Sequence, residues 1–328
     1  MQVYRDISAL PDKAKGAVTV IGNMDGMHVG HQALVGEGAV FARRNKALLS
    51  VLTFEPHPRR YFAPDSPPFR LTGERQKLRR MKPGGVDQVI ILPFTDDLAE
   101  MSAEAFVEEL LIGKLEAGHL VIGDDFRFGK GRSGDGALMR RVAEKHGTSV
   151  TVMEEVLSHD GLRASSTRIR EALAEGWVNQ ANLLLGRPFE IEGEVMKGDQ
   201  RGATIGFATA NLDLANYIRP KYGVYAVRAA LVEKPDPDGT DTHSGWVHGV
   251  ANLGRRPTVD GTREWLEVHL FDFDKDIYGK TLRVQLIDFI RAEQRFDGID
   301  ELVTQIGNDS KAAKHILAEN PMVQLNFE

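Results

Sequence analysis

Two hydrophobic periods divide this chain. Up to about residue 185, short continuous apolar runs (18–22, 48–54, 86–92, 120–123 and 149–153) alternate with amphipathic segments of helical period (31–44, 72–81, 102–111 and 137–146). Strands that are apolar throughout must be covered on both faces. A helix between successive strands supplies the long crossover that parallel pairing requires. The first half is therefore expected to be a doubly wound parallel sheet, with ligands beyond the carboxyl ends of its strands.

After Gly186 the helices drop out. Runs at 189–195, 223–230, 246–252, 265–271 and 281–287 are separated by segments rich in Gly, Pro and Asp. Closely spaced strands of this kind predict a small antiparallel barrel. Residues 234–245 (KPDPDGTDTHSG) hold too many breakers for regular structure and read as a polar loop or hairpin tip. Two terminal helices, at 299–306 and 310–319, are expected to close the barrel, and the helical stretch 168–185 to join the halves. The expected domains are 1–184 and 185–328, a division that suits a chain of 328 residues.

Composition narrows the chemistry. A net charge of -6 gives no reason to expect nucleic acid or an anionic membrane as partner, and with no cysteine there are no disulfides, thiolate zinc sites or cysteine nucleophiles. No stretch approaches the ~18 apolar residues of a membrane span, and the opening residues lack the basic start and apolar run of a signal peptide. The expected location is cytoplasmic.

Residues 22–32, GNMDGMHVGHQ, follow an expected strand and open an expected helix, where a phosphate-binding loop belongs. Gly22, Asn23, Asp25 and Gly26 form that loop. His28 and His31 are three apart, so at a helix start they project from one face. Gly30 between them lets a phosphate chain approach the backbone. Two imidazoles there can stabilise charge developing on an α-phosphate without a covalent intermediate; alone, the pair reads more readily as incidental to a helix start. No HExxH glutamate and no cysteine completes a zinc site.

A second element supports the phosphate reading. Ser165, Ser166 and Thr167 suit a helix N-terminus, with Gly176 placed to end the helix, yet Arg168 and Arg170 occupy its first turns. Cations there oppose the helix dipole and suit a polyphosphate. Residues 123–135 combine four glycines with Asp124, Asp125, Phe126, Arg127, Phe128, Lys130 and Arg132. Acids can hold Mg²⁺ indirectly or bond a ring, aromatics can stack on a flavin, and bases can meet a phosphate; a charged surface loop would have the same composition.

The paired HxGH and SSTRIR motifs resemble the nucleotidyltransferase superfamily. With TFEPHP (53–58), RLT (70–72) and IGDDFRFGKGRSGD (122–135), the first half resembles the FMN adenylyltransferase module of bacterial bifunctional riboflavin kinase/FAD synthetases. Met24 stands where that family usually has Phe, an apolar exchange that should alter packing only. In the second half, LGRPF (185–189), GEVMKGDQRGATIGFATANL (193–212), GVYAV (223–227), GVANLGRRPT (249–258), EVHLFDFDKDIYGKTL (267–282) and FIRAEQRF (289–296) resemble the riboflavin kinase family.

The resemblance implies riboflavin, FMN, FAD and ATP as substrates and products, and Mg²⁺ with ATP. It implies Thr209 and Asn211 as metal ligands and Glu267 as general base, with Gly198, Gly202, Phe207 and Arg291 at the bound nucleotide or flavin. Phosphorylation of a ribityl hydroxyl needs such a base and a cation on the nucleotide, and Mg²⁺ needs few protein ligands. No Walker-type loop is present. Alternation places Trp265, Glu267 and His269 on one strand face, where a solvated glutamate would be ordinary; His269 is read as structural. One departure stands out: Ala208 replaces the proline of the family's GFPTAN, which should loosen the backbone before Thr209 and raise the requirement for Mg-ATP. Two other functions compete: adenylylation of a different phosphate-bearing metabolite, and non-catalytic flavin binding.

Overall fold

The computed structural model describes residues 1–158, 160–197, 207–239, 241–258 and 261–321. By their contacts they form two units, Met1–Pro67 with Glu74–Ser165, and Pro68–Gly73 with Ser166–Glu328.

In the first unit, six parallel strands run β1 (Gln2–Tyr4), β2 (Val18–Ile21), β3 (Leu49–Glu55), β4 (Gln88–Pro93), β5 (His119–Gly123) and β6 (Ser149–Met153), in the spatial order β1-β4-β3-β2-β5-β6. The main connecting helices are α1 (Val29–Asn45), α2 (Pro58–Phe62), α3 (Glu74–Met81), α4 (Asp96–Glu100), α5 (Ala103–Ala105) and α6 (Gly136–Glu144). The expected doubly wound sheet is present, and its two faces are distinct. Val18, Val20, Val51, Val89, Ile91 and Val121 pack on one side with Leu34 and Val35 of α1. Ile21, Leu52, Phe54, Ile90, Leu92, Leu120 and Ile122 pack on the other with Met139 and Val142 of α6. Alternate residues of each strand thus enter opposite cores, which is why the strands read as unbroken apolar runs.

The second unit contains a closed barrel of β7 (Phe189–Met196), β8 (Ala210–Asp213), β9 (Gly223–Leu231), β10 (Val247–Thr258), β11 (Gly261–Leu270) and β12 (Thr281–Ala292), in the order β10-β11-β8-β7-β12-β9 with every pairing antiparallel. Two helices precede it, α7 (Ser166–Glu175) and α8 (Val178–Leu185), and α9 (Ile299–Glu319) covers it. The single helical stretch expected at 168–185 is therefore two helices, divided at Gly176 with φ 80°. The two expected terminal helices are one, unbroken at Gly307, with Leu302 and Ile306 half-buried before it and Asp309, Ala313 and Leu317 forming a buried stripe after it. Burial of that stripe outweighs the ~1 kcal/mol that an interior glycine costs. The segment Pro68–Gly73 joins this unit through Arg70, whose N–H donates to the Asn216 carbonyl at 3.1 Å and whose carbonyl accepts from Ile218 at 2.8 Å. Among the described residues no helix is long and apolar enough to cross a membrane.

Candidate active sites

β2 lies inside the sheet, with β3 and β4 on one side and β5 and β6 on the other. The loop leaving it opens where the strand order reverses, the crevice in which such sheets hold ligands. Met24, Gly26 and Met27 turn the loop with φ of 54°, 89° and 41°. Left-handed backbone at a non-glycine costs on the order of 1 kcal/mol, offset here because both methionine side chains are anchored in the core, 0% and 2% exposed. Asn23 is held by the Thr53 hydroxyl, which donates to its carbonyl at 3.2 Å. Lys77, buried in α3, donates to Thr53 Oγ1 at 3.3 Å and Glu55 Oε1 at 2.8 Å, bracing that hydroxyl from below. Lys77 was not legible as a site residue, because a lysine in ERQKLRRM reads as solvated.

His28 is the N-cap of α1, its Nδ1 accepting from the His31 backbone N–H at 3.4 Å. A ring nitrogen that accepts carries no hydrogen, so the neutral imidazole holds its proton on Nε2 and donates from there. Burial and the adjacent His31 push its pKa down to about 2, against the opposing pull of Asp25 and Asp125. His28 is accordingly neutral near pH 7, and its ring stacks on that of His31 with centroids 3.7 Å apart. Gly30 serves this arrangement directly: a Cβ there would lie 3.0 Å from His28 Cε1. The missing side chain at Gly30 leaves room for the imidazole.

The loop after β5 is built differently from its expected reading. Phe128 is buried in the core against Phe106, with ring centroids 5.2 Å apart, so it is not a face for a flavin. Phe126 stacks over it at 5.7 Å and is only half-buried. Arg127 turns back onto the Asp124 and Phe126 carbonyls at 2.9 and 3.0 Å, while Asp124 stays exposed. Arg163, which the sequence reading passed over, pairs with Asp125 and, at 2.7 Å, with Glu155.

In the second unit α7 starts at Ser166 with no acid in its first turn, as expected. Arg170 donates through Nε to the Phe69 carbonyl at 2.8 Å and lies over the Phe69 ring, so part of its guanidinium ties down the Pro68–Gly73 segment. Ser165 is counted with the first unit, and Ser166, Thr167 and Arg168 with the second.

On β11, Leu266, Val268 and Leu270 are buried while Trp265, Glu267 and His269 are half-exposed, matching the expected alternation. Glu267 pairs with Asn211 of β8 on one side and Asn252 of β10 on the other. Residues directly opposite in an antiparallel ladder share a face with Cβ atoms ~5 Å apart, so Asn211, Glu267 and Asn252 form one row. Thr209 precedes β8 by one residue. Asn252 belongs with these groups yet was not singled out, because register between strands is invisible in a single sequence. Phe207 lies edge-on to His269 at 5.3 Å. Arg291 forms a two-point ion pair with buried Asp309 of α9, at 2.8 and 2.7 Å; its guanidinium holds the helix instead of standing open for a ligand. Gly198 and Gly202 lie outside the described residues.

A parallel sheet with a histidine-bearing loop at its switch point, and a six-stranded barrel carrying an acid beside two amides, define a pair of phosphoryl-group transfer domains. The FAD synthetase family model matches residues 10–168 and the riboflavin kinase model residues 185–317. The chain is 42% identical to the bifunctional riboflavin kinase/FMN adenylyltransferase of Escherichia coli (strain K12), covering 96% of this chain and 97% of that one. It is 37% identical to the protein of that name from Bacillus subtilis (strain 168), covering 90% and 91%. A crystallised protein from Streptococcus pneumoniae, described as a macrolide-efflux protein, superposes with a TM-score of 0.82 at 30% identity, covering 95% of this chain and 98% of that one. This chain belongs to the bifunctional riboflavin kinase/FMN adenylyltransferase family.

Proposed function

We propose that the chain converts riboflavin to FMN in its barrel and FMN to FAD in its parallel-sheet domain, using ATP in both steps, with the work divided between residues 1–184 and 185–328. The observation that carries this is the row Asn211, Glu267 and Asn252 on one face of the barrel, joined in one chain to the capped His28 loop. A flavin-binding protein without chemistry has no need of either.

In the barrel, Glu267 takes the proton of the ribityl hydroxyl as its oxygen bonds to the γ-phosphorus of ATP; the bond to the bridging oxygen breaks and ADP leaves. Among the described residues no group of three or more His, Asp or Glu is placed to hold a metal ion. Thr209 and Asn211 would hold Mg²⁺ there, since that ion needs few protein ligands, and when bound it would supply neutralisation of charge on the transferring phosphates. Phe207 would contact the nucleotide, and the resemblance to the riboflavin kinase family assigns Gly198 and Gly202 to nucleotide binding as well.

In the parallel-sheet domain an FMN phosphate oxygen attacks the α-phosphorus of a second ATP, and diphosphate leaves. Neutral His28 donates from Nε2 to the oxygens that gain charge, and His31 stands beside it. Gly22, Asn23, Asp25, Gly26 and Gly30 shape the loop, and the resemblance of the SSTRIR motif to the nucleotidyltransferases implies Ser165, Ser166, Thr167 and Arg170 as polyphosphate donors. Phe126 is the ring for the flavin, backed by Phe128, with Asp124 and Arg127 at the loop's edge.

Incubation with riboflavin, Mg²⁺ and ATP followed by chromatography of the flavins tests the reading. FMN and FAD together are expected. FMN alone would mean a different adenylyl acceptor, and unchanged riboflavin a binding protein.

A further inference from the structure

The β8–β11 ladder stops short of the residue on which the kinase site depends. Its pairs run from Trp265 with Asp213 to Val268 with Ala210. Continued by one step, the same register sets His269 opposite Thr209, but backbone pairing has ended there. A side-chain bond takes its place: His269 Nδ1 lies 2.9 Å from the Ala208 carbonyl oxygen. A carbonyl only accepts, so Nδ1 carries the hydrogen and donates.

The ring is fixed from both sides. Phe207 meets it edge-on at 5.3 Å and Phe271 at 5.9 Å, each at 73°. Phe271 is itself buried, and Lys314 of α9 caps it with its ammonium 4.9 Å from the ring centre. His269 therefore joins the segment before β8 to the body of the barrel and its covering helix.

We propose that His269 is a positioning residue of the kinase reaction, holding the peptide between Ala208 and Thr209 so that the Thr209 hydroxyl is presented to Mg-ATP. The proposal rests on the assignment of Thr209 to that site. It also gives a reason why alanine is tolerated at 208. A proline would fix φ of residue 208 covalently and restrict the residue before it. The hydrogen bond fixes the following peptide plane instead, and it is anchored in the strand that bears Glu267. The loosening expected from Ala208 is thus offset by a donor two residues beyond the catalytic base.

The test is steady-state riboflavin phosphorylation by the full chain at varied Mg-ATP. His269→Phe keeps an aromatic ring and removes the donor; it should raise the KM for Mg-ATP about fivefold, with kcat changed less, the scale of one lost hydrogen bond. His269→Asn, which can place an amide N–H near the position of Nδ1, should stay within about twofold of the parent. Adding Ala208→Pro to His269→Phe should recover most of the loss, because the torsional constraint is supplied another way.

An unchanged KM in His269→Phe, or an equal rise in His269→Phe and His269→Asn, overturns the proposal. Thr209→Ala separates this failure from that of the underlying assignment. If Thr209→Ala is impaired and His269→Phe is not, the positioning role alone is wrong; if Thr209→Ala is fully active, the metal-site assignment falls and the proposal with it. Thermal melting of the barrel serves as the folding control. Should His269→Phe melt early, His269→Asn and His269→Gln decide: KM raised only in the glutamine variant supports the role, and equal values overturn it.

Discussion

At the scale of single residues, the first site is governed by a histidine that stays neutral. His28 gains an N-cap bond and a stacked partner, and burial removes its affinity for a proton. Well above pH 6.5, His28 is neutral in both the folded and the unfolded chain and contributes no pH dependence. Below pH 6.5 the unfolded chain takes up the proton and the folded chain refuses it until about pH 2. Stability is lost progressively across that window, by up to about 1.4 kcal/mol per pH unit. Urea unfolding at pH 7 and pH 5 should show a drop smaller by roughly 2 kcal/mol in His28→Asn, which keeps a capping side chain. An equal drop in both proteins would mean that His28 is not the group responsible. His28 and His31 at a helix start and Glu267 on the open strand face were legible from spacing and alternation, whereas the roles proposed for them came from the resemblance of the surrounding motifs. Asn252 and Lys77 were not legible, since one depends on strand register and the other on which face of α3 is covered. Phe128 and Arg291 show the converse. An aromatic and an arginine within a recognisable motif can serve the core and a helix contact, and sequence does not separate those uses.

At the scale of elements, periodicity identified whatever was long enough to show a period. Five strands of the parallel sheet and five of the barrel lie where the apolar runs are, with shifts at their ends. The missed strands are short, β1 with three residues and β8 with four, while β2, also of four, was found because it lies in a continuous apolar run. Three successive residues of β8, Ala210, Asn211 and Leu212, are buried, so no alternation marks it. The barrel also hides an ion pair that no sequence pattern announces. Arg283 of β12 donates to both oxygens of Glu190 of β7, each at 3.0 Å, with the Arg283 and Glu190 side chains 5% and 4% exposed. The Trp246 ring lies 5.1 Å from the same guanidinium. Arg283→Met would remove this two-point charged bond from buried Glu190 and should destabilise the barrel by about 3–5 kcal/mol. Replacing both partners by apolar residues should cost much less. Chemical denaturation of the single and double variants checks this, and a double variant as unstable as the single would refute the desolvation argument.

At the scale of the whole molecule, the contact units do not coincide with a cut between α8 and β7. α8 buries Val178, Ala181, Leu184 and Leu185, and Asn182 holds the barrel through the Leu286 carbonyl at 3.0 Å and the Phe189 N–H at 2.7 Å. A fragment of residues 166–328 should melt at a higher temperature than one of residues 185–328 and keep more kinase activity; burial of such a helix face is worth several kcal/mol. Matching melting curves would show that α8 adds nothing to the barrel. The central claim, that one chain holds two separate phosphoryl-group transfer sites acting in sequence, is tested most directly by crossing two variants with two substrates. Glu267→Gln keeps the side-chain shape and removes the base; it should lower FMN formation from riboflavin by roughly 10²–10⁴ while converting supplied FMN to FAD at the parental rate. His28→Ala should form FMN normally and lower FAD formation by roughly 10²–10³. If either substitution depressed both reactions equally in folded protein, the two activities would share a site and the account would be wrong.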